Sequence, residues 1–145
     1  MQLTNQTDFA FRILIYLQAN PKRTASVTEI ANAYRISYNH LSKVAQKLTA
    51  MGYTTVLRGR SGGLQLARAA GDIKLGQVVR DLEPNLNIVE CFNEESNKCV
   101  LFPGCLLKGA LEQAKQSFLQ SLDQQTLADI VQNPERLRER WGIEG

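Results

Sequence analysis

The sequence predicts a mainly α-helical fold that contains one small β-hairpin. In most of the 145 residues, apolar side chains recur at intervals of three and four, the spacing of one face of a helix. Only two short runs, residues 53–57 and 64–66, are rich in strand formers, and a turn with three glycines separates them. A hydrophobic content of 43% and a charged content of 21% are typical of a soluble protein with its own core.

Three helices are expected in the first 52 residues. The first spans residues 7–19 and ends before a proline. Ser26 and Glu29 have the spacing of a capping box at the start of a short second helix. Ser37 then caps a third helix, which Gly52 ends. The second and third helices, joined by a short turn, form a helix-turn-helix.

A hairpin is expected directly after the third helix. Its turn reads Arg58-Gly-Arg-Ser-Gly-Gly63, so two arginines stand among three glycines. A hairpin in this place is a wing, and we expect a winged helix-turn-helix domain over residues 1–70. A Gly-rich loop can instead cradle a nucleotide phosphate, but this one lacks the Lys-Ser/Thr ending of a P-loop and leads into a strand.

The second half is expected to contain a linker helix, a loop and a long helix. Asp72 can cap the linker helix over residues 73–82, and residues 71–104 form the linker and loop. The longest helix, at about residues 105–122, has one apolar stripe and an opposite polar face. The stripe comprises Leu107, Ala110, Leu111, Ala114, Phe118 and Leu122, and the residues expected to face outward are Lys108, Glu112, Lys115 and Gln116.

The apolar stripe of the long helix needs a surface to lie against. It can cover its own domain, yet a long helix beyond a winged module more often pairs with its copy, because symmetric operators require twofold dimers. We therefore expect a homodimer, with the dimerisation helix and the C-terminal tail in residues 105–145. Thr126 begins a last short helix, residues 127–132, and the highly charged tail from Pro134 is expected to be loose.

The net charge of +3 conceals an asymmetry between the two halves of the chain. Residues 1–70 hold nine Lys and Arg against two acidic residues, which is +7, and residues 71–145 hold eight against twelve, which is −4. The first half is therefore a candidate surface for a polyanion. No apolar run approaches the roughly 20 residues of a membrane span and no signal peptide is recognisable, so we expect a cytoplasmic protein that does not bind membranes.

The third helix and the wing carry the side chains expected to bind double-stranded DNA. A helix in the major groove presents its first turns to base edges, where Asn39 can pair with adenine and Lys43 with guanine or phosphate. Arginines on a tight glycine turn can enter a narrow minor groove. The alternative is a polar helix face exposed only to water, which the basic wing disfavours. The candidate DNA-binding residues are Ser37, Tyr38, Asn39, His40, Ser42, Lys43, Arg58, Arg60, Ser61 and Gly62.

All three cysteines fall within one loop, as Cys91, Cys99 and Cys105. Seven residues separate the first pair and five the second, and turn-forming residues lie between them. Thiolates on such a loop can converge on one soft metal centre, which leaves one position for a further ligand. Ordinary packing, a disulfide or a zinc site fit less well, because the cysteines are clustered, odd in number and without Cys-x2-Cys pairs. The spacing alone does not choose the metal.

Several motifs stand in one order along the chain. They are Met1-Gln-Leu-Thr-x-x-Thr-Asp8, Ile36-Ser-Tyr-Asn-His-Leu-Ser-Lys43, the wing turn, Gly76-x-Val-Val-Arg-x-Leu-Glu83-Pro84, the three cysteines and Thr126-Leu-Ala-Asp129. Together these motifs resemble the iron-sulfur winged-helix transcription regulators, a family with IscR-like and NsrR-like branches. The similarity spans nearly all of the chain up to about residue 132.

The resemblance also implies a set of cluster ligands. IscR-like members hold a [2Fe-2S] cluster with a histidine at the position of Lys108, so the same ligation is excluded here. NsrR-like members carry a carboxylate matching Asp8 that reaches the [4Fe-4S] cluster of the other subunit. The resemblance thus implies a [4Fe-4S] cluster, and less favourably a [2Fe-2S] cluster, held by Cys91, Cys99, Cys105 and Asp8 of the partner subunit. The gap between the first two cysteines is longer than the family pattern.

Position alone favours a simpler role for Asp8. A carboxylate in the first turn of a helix interacts favourably with the helix dipole, and Arg12 stands four residues further on, at the spacing of a helical ion pair.

By this resemblance, we expect a repressor that releases its operator when nitric oxide reacts with the cluster, which derepresses genes of nitric oxide detoxification. A cluster-free thiol switch on the same fold, in which two cysteines form a disulfide, is the alternative. An electron-transfer or enzymatic cluster protein leaves the basic winged half unexplained, and no paired acid and base is recognisable.

Overall fold

The computed structural model describes residues 1–143, in which helices dominate and one hairpin forms the only sheet of the described chain. Helix α1 lies at the centre and packs against α2, α3, α4, α6, α7 and strand β2. The helices are α1 Asn5–Ala19, α2 Val27–Tyr34, α3 Tyr38–Ala50, α4 Leu75–Leu82, α5 Leu106–Asp123, α6 Leu127–Ile130 and α7 Pro134–Arg140; the strands are β1 Thr54–Leu57 and β2 Gly63–Leu66.

The helix-turn-helix formed by α2 and α3 confirms the sequence prediction, although its caps differ in detail. The Ser26 hydroxyl accepts the amide of Glu29 at 3.0 Å, as expected at a helix start. The Glu29 carboxylate does not complete a capping box, because it accepts the hydroxyl proton of Tyr16 at 2.6 Å. Arg35, in a left-handed conformation with φ of 57°, ends α2. Ser37 precedes α3 as predicted but makes no side-chain capping bond.

The hairpin is antiparallel and pairs Thr54 with Leu66 through to Leu57 with Gly63. One further bridge joins Leu64 to Ala25, in the segment that precedes α2. The wing is therefore attached to the helix-turn-helix by backbone hydrogen bonds as well as by its connection to α3.

Helix α4 begins two residues later than the sequence predicts, and Asp72 does not cap it. Asp72 belongs to a short 3₁₀ turn, and Lys74 occupies the position before the helix. The reason is a backbone pairing between distant segments, in which Leu75 donates to Gln125 at 2.9 Å and Leu127 donates to Ile73 at 2.9 Å. This pairing keeps residues 73 and 74 extended, so α4 begins only at Leu75. Helix α6 begins at Leu127, the last of the paired residues 125–127. It ends at Ile130, whereas the sequence predicts an end at residue 132.

The prediction of a loose tail from Pro134 is wrong for the described residues. Residues 134–140 form α7, which Asn133 caps by accepting the amide of Arg136 at 3.1 Å. The guanidinium of Arg138 donates to the carbonyl of Ala19 at the end of α1, at 2.5 Å. Trp141 then packs against the rings of buried Tyr16 and half-buried Tyr34, so aromatic packing holds this charged segment in place.

Helix α5 crosses α4 at a close contact. Gly76 allows it, since a Cβ there would stand 2.9 Å from the carbonyl oxygen of Leu119. Beside this contact the guanidinium of Arg80 binds both carboxylate oxygens of Asp123, at 2.6 and 2.8 Å. Leu119 is the only α5 side chain that is fully buried. None of the helices in the described part of the chain is long and apolar enough to cross a membrane.

Candidate DNA-binding surface and cysteine loop

The exposed face of α3 carries the side chains that the sequence assigns to DNA. Leu41, Val44, Ala45 and Leu48 turn the opposite face into the core. Tyr38 is 53% exposed. Of the remaining predicted contacts, Ser37, Asn39, His40 and Lys43 are exposed and Ser42 is half-buried. An amphipathic helix with its polar face open at its first turns is the arrangement that a major groove accepts.

The wing turn holds its two arginines in solvent. Arg58, Arg60 and Ser61 are exposed and Gly62 is half-buried. The turn is closed by a hydrogen bond from the Gly62 amide to the Gly59 carbonyl at 3.0 Å. Gly59 has a φ of 110°, a backbone conformation that favours glycine. Within the described part of the chain, neither arginine forms an ion pair. Both side chains can therefore reach a groove or a phosphate without losing one.

The cysteine loop lies against one face of α5 through aromatic and charged contacts. The ammonium of Lys108 stands 4.6 Å from the ring centre of Phe102 and 3.6 Å from a carboxylate oxygen of Glu94. The ammonium of Lys115 stands 4.9 Å from the ring centre of Phe92. The prediction that both lysines face outward is wrong, because only 26% of the Lys108 side chain and 19% of the Lys115 side chain are exposed.

The loop backbone is shaped by asparagines. The side-chain oxygen of Asn97 accepts the amide of Cys99 at 3.0 Å, and Asn93 accepts the amide of Glu95 at 3.2 Å in the same way. These are Asx turns, which hold a chain locally without a helix or a strand. Both asparagines belong to the turn-forming residues that the sequence contains between its cysteines.

The three cysteines are free thiols, with Cys91 and Cys105 half-buried and Cys99 exposed. Among the described residues, no three histidine, cysteine or carboxylate side chains stand close enough together to hold a metal ion. Asp8 is part of α1, where its carboxylate accepts from the Arg12 guanidinium at 2.8 Å. The structure thus shows the ordinary ion pair that the spacing of Asp8 and Arg12 favours.

Glu83 fastens the start of α1 to the end of α4, a contact that the sequence did not reveal. Its carboxylate accepts the Thr4 amide at 3.1 Å and the Thr4 hydroxyl at 2.6 Å, and it also accepts the Thr7 hydroxyl. Beside this clamp is a groove of about 420 Å³ between residues 1–4, residues 83–88 and one side of α5.

Two buried tyrosines form polar contacts with acidic residues, Tyr16 with Glu29 of α2 and Tyr53 with Asp81 of α4. Burial, reinforced by the hydrogen bond to Glu29, raises the pKa of Tyr16 to about 12. Burial also raises the pKa of Tyr53 well above its ordinary value, and a hydrogen bond to Asp81 adds to that effect. These phenols remain protonated at neutral pH and act as hydrogen-bond donors.

Comparison with known proteins decides the family. Residues 3–133 match the family model of Rrf2, described as "Iron-dependent Transcriptional regulator". The chain belongs to the Rrf2 family. It is similar to the HTH-type transcriptional regulator NsrR of Shouchella clausii, with 48% identity over 139 residues that cover 95% of this chain and 93% of the relative. It is also 46% identical over 136 residues to the regulator of that name from Bacillus subtilis, with 93% of each chain covered.

Solved structures of similar shape agree with the Rrf2 assignment. T. potens IscR superposes with a TM-score of 0.74 at 25% identity, over 100% of this chain and 94% of that one. CymR, described as the global cysteine regulator of B. subtilis, has a TM-score of 0.75 at 20% identity, over 90% of this chain and 96% of that one. The predicted winged-helix fold and the predicted family resemblance are confirmed, and this Rrf2 protein is a transcription regulator rather than an enzyme.

The donor atoms of the Rrf2 loop fit an iron-sulfur cluster. Three free thiols on one loop supply soft ligands of the type that such clusters require. Lys108 follows the third cysteine by three residues, and an ammonium engaged with Phe102 and Glu94 supplies no lone pair. A fourth protein ligand would therefore come from another element or another subunit.

Proposed function

We propose that this chain is a homodimeric, cytoplasmic repressor that binds double-stranded operator DNA through α3 and the wing. Its DNA affinity is controlled by a [4Fe-4S] cluster that reacts with nitric oxide, and loss of repression turns on genes of nitric oxide detoxification. The observation that carries the proposal is the combination of three free thiols on one loop with a winged helix-turn-helix in a chain 40% to 48% identical to proteins named NsrR.

Support for DNA binding comes from the exposed polar face of α3 and from the wing. Asn39 and Lys43 are exposed at the first turns of α3, and Arg58 and Arg60 are exposed in the wing turn. Side chains of these types can read base edges and enter a narrow minor groove. The first 70 residues have a formal charge of +7, which favours a polyanion.

Support for the homodimer comes from the uncovered stripe of α5. Leu107 is 62% exposed, and Ala110 and Ala114 of the same stripe are exposed as well. A helix that exposes its small apolar residues in a row gains stability by packing against a second copy. Ala114→Arg should therefore shift the protein to monomers in sedimentation experiments, whereas Gln120→Arg on the opposite face should leave the dimer intact. A dimeric Ala114→Arg variant would contradict this interface.

Cys91, Cys99 and Cys105, with Asp8 of the partner subunit, would hold the cluster. The cluster supplies an iron whose bond to the oxygen of a carboxylate is weaker than its bonds to thiolates, and which can therefore take a small ligand such as nitric oxide. Asp8 is suited to this role because 47% of its side chain is exposed on α1. Since α1 packs against both α2 and α3, a change in the partner of Asp8 bears directly on the DNA-facing helices.

The test compares Asp8→Ala with wild type after anaerobic reconstitution with iron and sulfide, and Asp72→Ala serves as an exposed carboxylate control. We expect the wild type and the control to assemble a cluster, to bind operator DNA and to release it on exposure to nitric oxide. Asp8→Ala should show an altered visible spectrum and a weaker response. If Asp8→Ala assembles and responds like the wild type, its assignment as a ligand is wrong.

The same experiment distinguishes the cluster-controlled repressor from a cluster-free thiol switch. If the protein stays colourless, takes up no iron and changes its DNA affinity with peroxide, the switch is a disulfide between two of the cysteines rather than a cluster. Lys98, the residue before Cys99, is the nearby cation along the chain that could favour a thiolate there.

A further inference from the structure

The tip of the wing is fastened to the short segment that precedes α2. The Thr24 hydroxyl donates a hydrogen bond to the carbonyl of Ser61 at 2.7 Å. Next to it, Ala25 and Leu64 exchange two backbone hydrogen bonds, with N–O distances of 3.0 and 2.8 Å. One side-chain bond and one backbone bridge thus join the two segments.

The contact leaves no room for a side chain at the base of the turn. A Cβ at Gly63, whose φ is 151°, would stand 2.8 Å from the carbonyl oxygen of Ala25. The wing backbone therefore lies directly on the segment, which needs glycine at this position.

The segment itself is anchored to the core. The Arg23 guanidinium donates to the Thr24 carbonyl at 3.0 Å and to the Glu29 carboxylate at 2.8 Å. The same carboxylate accepts the hydroxyl of buried Tyr16 at 2.6 Å. Two residues after Thr24, Ser26 begins the hydrogen bonding of α2. Thr24 thus stands between a fixed support and a turn that is otherwise rich in glycine.

We propose that Thr24 is a positioning residue for DNA binding, which holds Arg58 and Arg60 of the wing at a fixed place relative to α3. The inference rests on the proposed DNA binding and adds a residue that touches no DNA itself. A glycine-rich turn that is free to move must lose conformational entropy when its arginines enter a groove. The bond from Thr24 to Ser61, the neighbour of Arg60, restricts the turn before DNA arrives and so lowers that cost.

The test measures binding to a short duplex that the wild-type protein enriches from randomised DNA. Thr24→Val keeps the shape but removes the donor, and should weaken binding about two- to tenfold. Thr24→Ser restores the donor and should bind like the wild type. Thr55→Val on β1 is the matched control, because its hydroxyl bonds to none of the described residues. Hydrogen exchange of the free protein should be faster over residues 58–63 in Thr24→Val alone.

A double-mutant comparison shows whether Thr24 acts through the wing. In an Arg58→Ala, Arg60→Ala background, Thr24→Val should cause no further loss of affinity. Equal affinity and equal exchange of Thr24→Val and wild type would overturn the role of Thr24 while leaving the proposed function intact. If the wild type enriches no duplex, the proposed function and the role of Thr24 in DNA binding are both overturned.

Discussion

The indole ring of Trp141 lies 4.6 Å from the ring of Tyr16, measured between centroids, and joins the end of α7 to α1. The ring of Tyr34, at the end of α2, completes the cluster at 5.5 Å from Trp141. The C-terminal segment is therefore part of the support beneath the helix-turn-helix.

We predict that Trp141→Ala lowers the free energy of unfolding by about 2 kcal/mol, because it removes half-buried aromatic packing and leaves the tyrosines partly uncovered. Urea unfolding followed by circular dichroism measures the change. Arg140→Ala, an exposed neighbour on α7, should change stability by less than about 0.5 kcal/mol. Similar stabilities for Trp141→Ala and Arg140→Ala would show that the aromatic cluster does not hold α7.

The wing arginines should contribute to the salt dependence of DNA binding. We predict that Arg60→Ala weakens binding to the enriched duplex and lowers the slope of log affinity against log salt concentration by about 1, because one phosphate contact is lost. Arg136→Ala, an exposed arginine on α7, should leave the slope unchanged. If the slope is unchanged in Arg60→Ala, this arginine does not contact a DNA phosphate.

Stability should fall in alkaline solution because of the buried tyrosines. The pKa of Tyr16 is about 12 in the folded protein and about 10 in an unfolded chain. The raised value contributes stability that is fully present below pH ~10 and is lost as the pH rises towards pH ~12, since the unfolded state releases its proton first. Urea unfolding at increasing pH should show this decrease, and it should be shallower in Tyr16→Phe. If stability falls equally steeply in both proteins, titratable groups other than Tyr16 cause the loss.

The two lysines beneath the cysteine loop should control access to its thiols. We predict that Lys108→Ala combined with Lys115→Ala raises the alkylation rates of Cys91 and Cys105 in the apo protein about tenfold, because two cation–π contacts are lost. Lys98→Ala, an exposed lysine within the loop, is the control and should have little effect. If the double variant reacts at the wild-type rate, packing other than these contacts holds the loop.

Much of the winged helix-turn-helix could be predicted from local sequence signals. The helix stop at Gly52, the strand-forming runs and the glycines of the wing depend on neighbours within a few residues, and the structure contains each of these elements. The predicted DNA contacts on α3 needed only the helical period, since buried Leu41 and Leu48 determine which face remains open.

Most of the errors concern contacts that the local helical pattern does not contain. Helix periodicity placed Lys108 and Lys115 on a polar face of α5, but it could not indicate that Phe92 and Phe102 would cover them. The charged composition of residues 134–140 gave no sign that Trp141 would hold them in place. The sequence indicates which side chains could bind a metal, the three cysteines above all. In the described residues of a single chain, however, no three such side chains stand close enough together to form a site.

An electric dipole arises when parts of one molecule carry opposite net charges, as the two halves of this chain do. Residues 1–70 carry +7 on the half with α3 and the wing, and residues 71–145 carry −4. In the field of a nucleic acid such a dipole experiences a torque before any contact forms, and the torque weakens as the ionic strength rises. The +7 half, with α3 and the wing, would therefore turn towards a nucleic acid before contact, and this effect should be strongest at low ionic strength.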